Sequence, residues 1–120
     1  MRPEISETAM GFAVVDGKKI ERDFIIRPSG KIKKRRKKLS KNSEGDSHEI
    51  SMEEAKHAFA KKVPRLIVGT GMEGGLSISD IAATYLDKKK CEVEVLPTPE
   101  AAKRWNELDG KAVGLFHFTD

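Results

Sequence analysis

The chain of 120 residues is long enough to form a core and too short for two ordinary domains, so we expect one domain over residues 1–120. It carries 23 lysine and arginine residues and 19 aspartate and glutamate residues, which gives a formal net charge of +4. Eight of the cations lie within residues 31–41, where there is no acid. Removing those eight charges from +4 leaves −4 on the remainder, which excludes a protein that is basic throughout.

The single cysteine, Cys91, excludes an intramolecular disulfide and favours a reducing compartment. The amino-terminal residues are polar and lack the apolar segment of a signal peptide. No apolar run is long enough to cross a bilayer. We therefore expect a cytoplasmic protein that does not associate with a membrane.

The first third of the chain predicts antiparallel strands. Residues 11–15 and 20–26 flank Asp16-Gly17, a pair typical of a β-hairpin because both turn positions tolerate positive φ. Residues 31–36 predict a third strand, which its lysines place at an exposed sheet edge. The polar residues 37–49 predict a loop, with His48 near its end.

A first helix is predicted after this loop. Ser51 and Glu54 form a capping box, in which each side chain bonds the other residue's backbone N–H. Pro64 ends the helix. Its apolar stripe comprises Met52, Ala55, Phe59 and Val63.

A second helix is predicted after the apolar strand of residues 66–68 and the glycine-rich segment that follows it. Ser77 or Ser79 caps this helix. Its inward face is predicted from apolar residues at helical spacing: Ile78, Ile81, Ala82, Tyr85 and Leu86.

The last part of the chain predicts a strand over Glu92–Leu96, a third helix, and a central strand over the apolar residues 112–118. Thr98 is predicted to be the N-cap of that helix, with Pro99 at its first position. The helix residues expected to face inward are Ala101, Ala102, Trp105 and Leu108.

This order of elements predicts an α/β fold. We expect a three-layer domain with a central mixed, largely parallel sheet flanked by helices, plus an N-terminal β-hairpin that extends or covers the sheet.

Residues 69–75, here called the glycine loop, match G-x-G-x-x-G. A dinucleotide site also needs an acid at the end of the next strand, but that strand ends Leu96-Pro97-Thr98. A flexible connection and a cradle for a small anion or ligand are the alternatives, since α/β domains bind ligands at the carboxyl ends of parallel strands. The predicted ligand-contacting residues are Gly69, Thr70, Gly71, Gly74, Thr98 and His48.

Several segments together resemble the Mth-domain family of small uncharacterised proteins, over about residues 12–119. They are a strand ending Gly-Thr-Gly71, a strand ending before Thr98-Pro99, a helix with Trp105-Asn106, and a terminal Leu115-Phe-His-Phe-Thr119. The resemblance implies a three-layer α/β fold with a mixed sheet and no established reaction. Some members take part in assembling larger complexes, which implies a possible protein partner. Members often end Thr-Cys, whereas this chain ends Thr119-Asp120, so no role for a terminal thiol carries over.

Other polar residues favour structural interpretations. His117 lies in a buried strand, which favours a hydrogen-bonded core histidine over a base. Asn106 is expected to bond backbone or a ligand. His48, His57 and His117 lack metal-ligand spacing, so no metal site and no cofactor are predicted. No catalytic residue set can be assembled, and Cys91 is interpreted as structural.

The basic run is a second candidate surface, for nucleic acid. Its predicted phosphate-contacting residues are Lys33, Lys34, Arg35, Arg36, Lys37 and Lys38. The run contains no aromatic residue for base stacking, and a solvated edge is the simpler interpretation.

The sequence therefore predicts a cytosolic binding or assembly module with a small pocket at the glycine loop. A nucleic-acid-associated protein is the alternative, and an enzyme of unknown reaction using His48 is the third. A homodimer through an exposed strand edge stays open.

Overall fold

The computed structural model describes residues 3–40, 48–59 and 63–118, and its centre is a mixed five-stranded sheet. Three α-helices occur in these residues: α1 (Met52–Ala58), α2 (Asp80–Lys88) and α3 (Thr98–Glu107). The strands are β1 (Ile5–Ala9), β2 (Phe12–Val15), β3 (Lys18–Ile20), β4 (Phe24–Ile26), β5 (Ile32–Lys34), β6 (Glu49–Ile50), β7 (Arg65–Thr70), β8 (Ser77–Ile78), β9 (Glu92–Leu96) and β10 (Val113–His117).

The central sheet has the order β5-β4-β10-β7-β9. β10 runs parallel to β7, and β7 runs parallel to β9, as expected for strands joined through helices. β4 runs antiparallel to both β10 and β5. The carboxyl ends of β7, β9 and β10 therefore lie at the same edge of the sheet as the start of β4 and the end of β5.

Side chains alternate between two buried faces of this sheet. Phe24, Ile67 and Phe116 pack on one face with α3 and the N-terminal strands. Ile25, Leu66 and Leu115 are among the residues that pack on the other face with α1 and α2. The predicted α/β fold with three layers is therefore confirmed.

The predicted hairpin at Asp16-Gly17 is confirmed, and it joins β2 to β3. Both turn residues adopt positive φ, 49° and 81°, the pattern of a type I′ turn. Residues 20–26, predicted as the second strand of this hairpin, do not form one strand. They contribute to β3 and β4, which belong to different sheets. β1 pairs with β2 and was not predicted, because residues 5–9 alternate too weakly to signal a strand.

The side chains of α3 attach β1 to the domain. Asn106 Nδ2 donates to the carbonyl of Ile5 at 2.7 Å, and Asn106 Oδ1 accepts from the Ile5 N–H at 3.0 Å. Trp105 Nε1 donates to the carbonyl of Pro3 at 3.0 Å. The three-stranded sheet therefore covers the central sheet, and Asn106 bonds backbone, one of its two expected roles.

The helix starts differ in part from those predicted. Ser51 Oγ accepts from the Glu54 N–H, but the Glu54 carboxylate turns to Arg35 and Ser40, so the reciprocal half of the predicted capping box is wrong. Ser79 caps α2, as one of the two predicted alternatives. The predicted N-cap at Thr98 is also wrong, because Pro97 precedes the first helical residue.

The predicted inward face of α2 holds for Ala82 and Leu86, which are fully buried. Ile81 is 67% exposed, so its predicted place in the core is wrong. Ala82 and Leu86, four residues apart, face the core, and Ile81 lies about 100° round the helix from Ala82.

The predicted loop over residues 37–49 lies partly outside the described residues. Lys37–Ser40 forms a 3-10 helix, and Glu49–Ile50 pairs with Ser77–Ile78 as a parallel two-stranded sheet. The predicted edge strand is confirmed as β5, whose three residues are exposed. In the described part of the chain, no helix has the length and apolar character needed to span a membrane.

Candidate functional site

The glycine loop leaves the carboxyl end of β7 and is bonded to the domain at both ends. The Gly71 N–H donates to Thr98 Oγ1 at 2.9 Å, and the Thr98 N–H donates to the Gly71 carbonyl at 2.9 Å. The Leu76 N–H donates to the Thr70 carbonyl at 2.9 Å. Between these anchors, residues 73–75 are exposed. The loop is therefore a fixed protrusion at the end of the sheet where β7 terminates.

Thr98 connects the ends of two strands to the start of α3. Its hydroxyl donates to the His117 carbonyl while it accepts from Gly71 N, and the residue is fully buried. Thr70 Oγ1 likewise donates to the Leu96 carbonyl at 3.1 Å. Both predicted threonines thus bond backbone, and they bring the ends of β7, β9 and β10 together.

The glycines serve the packing and the turn. A Cβ on Gly69 would lie 2.9 Å from the Phe116 ring and 3.0 Å from Thr98 Oγ1, so only glycine fits without a shift. Gly71 and Gly74 have φ of 105° and 75°, a region that side chains rarely adopt. The Gly74 N–H donates to the Gly71 carbonyl at 3.2 Å. The loop's glycines are therefore explained by conformation before any ligand is invoked.

The exposed residue His48 lies just before β6, whose pairing with β8 brings it close to the far end of the glycine loop. Its carbonyl accepts from the Ser77 N–H at 2.9 Å, one residue after Leu76. His48 thus meets the far end of the loop through its backbone, and the contact of its side chain with a ligand stays a prediction.

Beside the glycine loop, at the same end of the sheet, lies a group of buried and partly buried charged and hydroxyl side chains, here called the polar cluster: Asp23, Arg35, Ser40, Glu54 and His117. Arg35 binds Glu54 through Nε–Oε2 at 2.5 Å and Nη2–Oε1 at 2.9 Å. Its Nη1 donates to Asp23 Oδ2 at 3.0 Å. Ser40 Oγ donates to Glu54 Oε1. The cluster therefore joins the basic run, helix α1, strand β10 and the residue that precedes β4 through charge-assisted bonds.

Charges in the polar cluster shift the ionisation of Asp23 and Arg35. Burial raises the pKa of Asp23, but the hydrogen bonds and charges of His117 and Arg35 outweigh it, so the pKa lies below its ordinary 3.8. Burial lowers the pKa of Arg35, but the hydrogen bonds and charges of Glu54 and Asp23 raise it by more. The pKa of Arg35 therefore lies above its ordinary value. Asp23 and Arg35 are thus an ionised pair.

His117 Nδ1 lies 2.7 Å from Asp23 Oδ2. Because that carboxylate is ionised, Nδ1 carries the proton and donates it. The 3.5 Å approach of Arg35 Nη1 to the same nitrogen is then a contact between two donors. The Phe118 N–H donates to Asp23 Oδ1 at 3.1 Å, which holds the carboxylate in place. The prediction of a hydrogen-bonded core histidine agrees with this geometry.

The burial of Arg35 corrects the predicted basic surface. Arg35 is 2% exposed and its guanidinium is bonded within the polar cluster, so it cannot contact a phosphate backbone. The other predicted cations are exposed: Lys33, Lys34, Arg36, Lys37 and Lys38. No local pattern distinguishes Arg35 from its neighbours, because its partners Asp23 and Glu54 lie 12 and 19 residues away in the chain.

Two cavities lie away from the predicted pocket. One of about 190 Å³ is at the opposite edge of the sheet, between Trp105, Arg27 and Lys111. The other, about 310 Å³, lies along α1 and α2 beside Met52 and Tyr85. Within residues 3–40, 48–59 and 63–118, no three His, Cys, Asp or Glu residues are grouped to hold a metal ion.

Comparison with known proteins identifies similar sequences and structures. Residues 5–116 match a family described as "Protein of unknown function (DUF498/DUF598)". A conserved hypothetical protein from Pyrococcus horikoshii OT3 is 34% identical, with a TM-score of 0.89 over 98% of this chain and 99% of that one. The structure of the protein MT938 is 26% identical, with a TM-score of 0.80 over 98% of this chain and 99% of that one. A Bordetella pertussis protein described as a Mth938-like domain is 14% identical, with a TM-score of 0.57 over 96% and 85% of the two chains, and shares the fold.

Proposed function

Because the chain belongs to the DUF498/DUF598 family of proteins of unknown function, whose solved relatives confirm the predicted Mth-domain resemblance, we propose its function from its own residues. We propose a binding or assembly module that contacts its ligand with the glycine loop. The observation that carries this proposal is the exposure of residues 73–75 between two buried anchors, Gly71 and Leu76.

This geometry favours a protein partner over a phosphate. The N–H groups of Gly71, Gly74 and Leu76 bond acceptors within the domain, so they do not form the ring of free donors that cradles an anion. Glu73 adds an exposed negative charge at the tip. A loop fixed in one conformation loses little conformational entropy when a partner binds it, which favours association.

A cytoplasmic location is part of the proposal. It is supported by Cys91, the only cysteine, which is a buried thiol with its pKa raised by burial. A buried protonated thiol is inert and suits a reducing compartment.

Native mass spectrometry of the purified protein tests the loop as a contact site. Gly75 is exposed and does not adopt positive φ, so Gly75→Tyr adds bulk to the loop without backbone strain. We expect a copurifying mass, either a protein or a small molecule, to be retained by the wild type and lost in Gly75→Tyr. Lys103→Tyr, at an exposed position on α3, is the matched control and should retain it. Retention by both variants, or a clean apo mass in the wild type, would contradict the proposal.

Nucleic-acid binding is a second candidate, favoured by the exposed cations of the basic run. Each phosphate they neutralise would release counterions, so binding would weaken steeply with salt. Fluorescence anisotropy with a labelled oligonucleotide at about 50 mM and 200 mM salt tests this. An absence of binding at the lower salt concentration would refute this second candidate function.

A further inference from the structure

β5 has only one strand neighbour in the described residues. It is the first strand in the order β5-β4-β10-β7-β9, so β4 covers one side and the other side is a sheet edge. All three residues, Ile32–Lys34, are exposed. A strand edge carries unpaired N–H and C=O groups that can bond another extended chain.

The pairing register shows which backbone groups face outward. Lys31 O accepts from the Arg27 N–H at 2.8 Å, and the Arg35 N–H donates to Asp23 O at 3.2 Å, so both flanking residues bond toward β4. Bonding residues alternate along an antiparallel pair, and Lys33 lies opposite Ile25 midway between them. Lys33 therefore bonds inward as well. The N–H and C=O groups of Ile32 and Lys34 point to the open side.

Positive charge surrounds this edge. Six exposed cations lie on or beside it, and none forms an ion pair with any residue that the structure describes: Lys31, Lys33, Lys34, Arg36, Lys37 and Lys38. Two β5 edges of this kind repel each other, because like charges on adjacent strands are destabilising. Carboxylates on an incoming chain would relieve the repulsion.

The polar cluster fixes β5 in position before anything binds. Arg35 follows the strand directly and is held by two carboxylates, with a side chain that is fully buried. Ser40, at the end of the 3-10 helix, bonds the same Glu54. β5 is thus anchored at its carboxyl end. Little conformational entropy of β5 is therefore lost when a partner binds its edge.

We propose that the outer edge of β5 binds an extended acidic segment of a partner protein as an added strand. Backbone bonds to Ile32 and Lys34 supply the pairing, and the exposed cations select acidic side chains. A peptide fits these features better than nucleic acid, since a strand edge presents alternating donors and acceptors, and residues 31–40 contain no aromatic side chain for stacking.

The probe is a fluorescein-labelled, end-blocked peptide of alternating glutamate and valine, nine residues long, titrated with the protein at low salt. We expect saturable binding that falls at least tenfold in the double variant Lys33→Glu/Lys34→Glu. Lys103→Glu reverses one exposed charge on α3 and should leave the affinity within about twofold, since α3 packs against β1, β7, β9 and β10.

Two further reagents separate strand pairing from charge attraction. Ile32→Pro removes an outward N–H without removing a bond to β4, and proline is tolerated at strand edges. The same peptide N-methylated at every amide has no N–H donor on either edge. It needs no protein variant, so it can be used if Ile32→Pro does not fold. We expect each to weaken binding at least tenfold.

Four outcomes would overturn the proposal. One is the absence of peptide binding at low salt. The second is equal binding of the plain and N-methylated peptides, which would indicate charge attraction alone. The third is tighter binding of a 12-nucleotide single-stranded DNA than of the peptide. The fourth is self-association abolished by Lys33→Glu/Lys34→Glu with no peptide binding, which would assign the edge to a second copy, for example to its acidic strand β9.

Discussion

Removing the positive charge of the polar cluster should destabilise the protein strongly. The side chains of Arg35 and Glu54 are both fully buried, and the guanidinium makes two bonds to Glu54 and one to Asp23. Arg35→Met leaves two carboxylates without their counter-charge, although Asp23 keeps His117 and the Phe118 N–H. Breaking a buried pair by removing one partner costs about 3–5 kcal/mol, a large part of the roughly 5–15 kcal/mol by which small domains are stable.

Comparison among variants makes this prediction specific. Glu54→Gln keeps the shape of the side chain and leaves Arg35 paired with Asp23. We therefore expect a smaller loss in the free energy of unfolding, about 1.5–3 kcal/mol. The double variant Arg35→Met/Glu54→Leu removes both charges and should cost less than the sum of the single variants. Arg36→Met, at the adjacent exposed position, should stay within about 0.5 kcal/mol of the wild type.

The assay is equilibrium unfolding in urea, followed by the fluorescence of Trp105, the only tryptophan, which is 1% exposed in the native state. The free energy of unfolding in water is compared among the variants. A cost below about 1 kcal/mol for Arg35→Met, or strict additivity in the double variant, would refute the view that these side chains are a coupled buried group.

Three further predictions follow from single features. Asn106→Ala loses both bonds to the backbone of Ile5 and should lower the free energy of unfolding by about 1–3 kcal/mol, measured by urea unfolding; an unchanged midpoint would contradict this. Asp23 has a lowered pKa in the folded state, so its contribution is present above its unfolded pKa, near 3.8, and is lost as the pH falls further; Asp23→Asn should flatten the stability loss below pH 4 in acid titrations followed by circular dichroism, and an unchanged slope would exclude this role. Cys91 is buried with a raised pKa, so a thiol reagent at pH 8 should label it at least tenfold faster in urea than in buffer, and equal rates would show that it is accessible.

Regular hydrophobic patterns predicted the fold where local residues decide the structure. The Asp16-Gly17 turn fixed the hairpin, and the near-continuous apolar run ending in Phe118 identified the central strand β10. In contrast, Ile81 fits the helical spacing of α2 but lies on its exposed side, since the packing partners of a helix select which part of a wide apolar face is covered.

The polar cluster could not be predicted, because nothing local distinguishes its members. Arg35 is one cation in a basic run. It is buried because Asp23 and Glu54, which are distant in the chain, form ion pairs with it in the fold. Thr98 has the identity of a helix cap but serves as a link between Gly71 and His117. The position of the glycine loop at the sheet edge was predictable, whereas its internal hydrogen bonds depend on tertiary contacts.

The central place of β10 has a consequence for biosynthesis. β4 and β7 both pair with β10 and not with each other, so neither can join the finished sheet until residues 113–117 have been made. At a translation rate of about 5–20 residues per second, the roughly 90 residues between Phe24 and β10 take about 5–20 s to appear. During that interval Phe24, Ile25 and Ile26 lack the strand neighbour β10 that completes their burial in the finished domain. Truncation before β10 should therefore leave a chain that aggregates instead of a smaller folded domain.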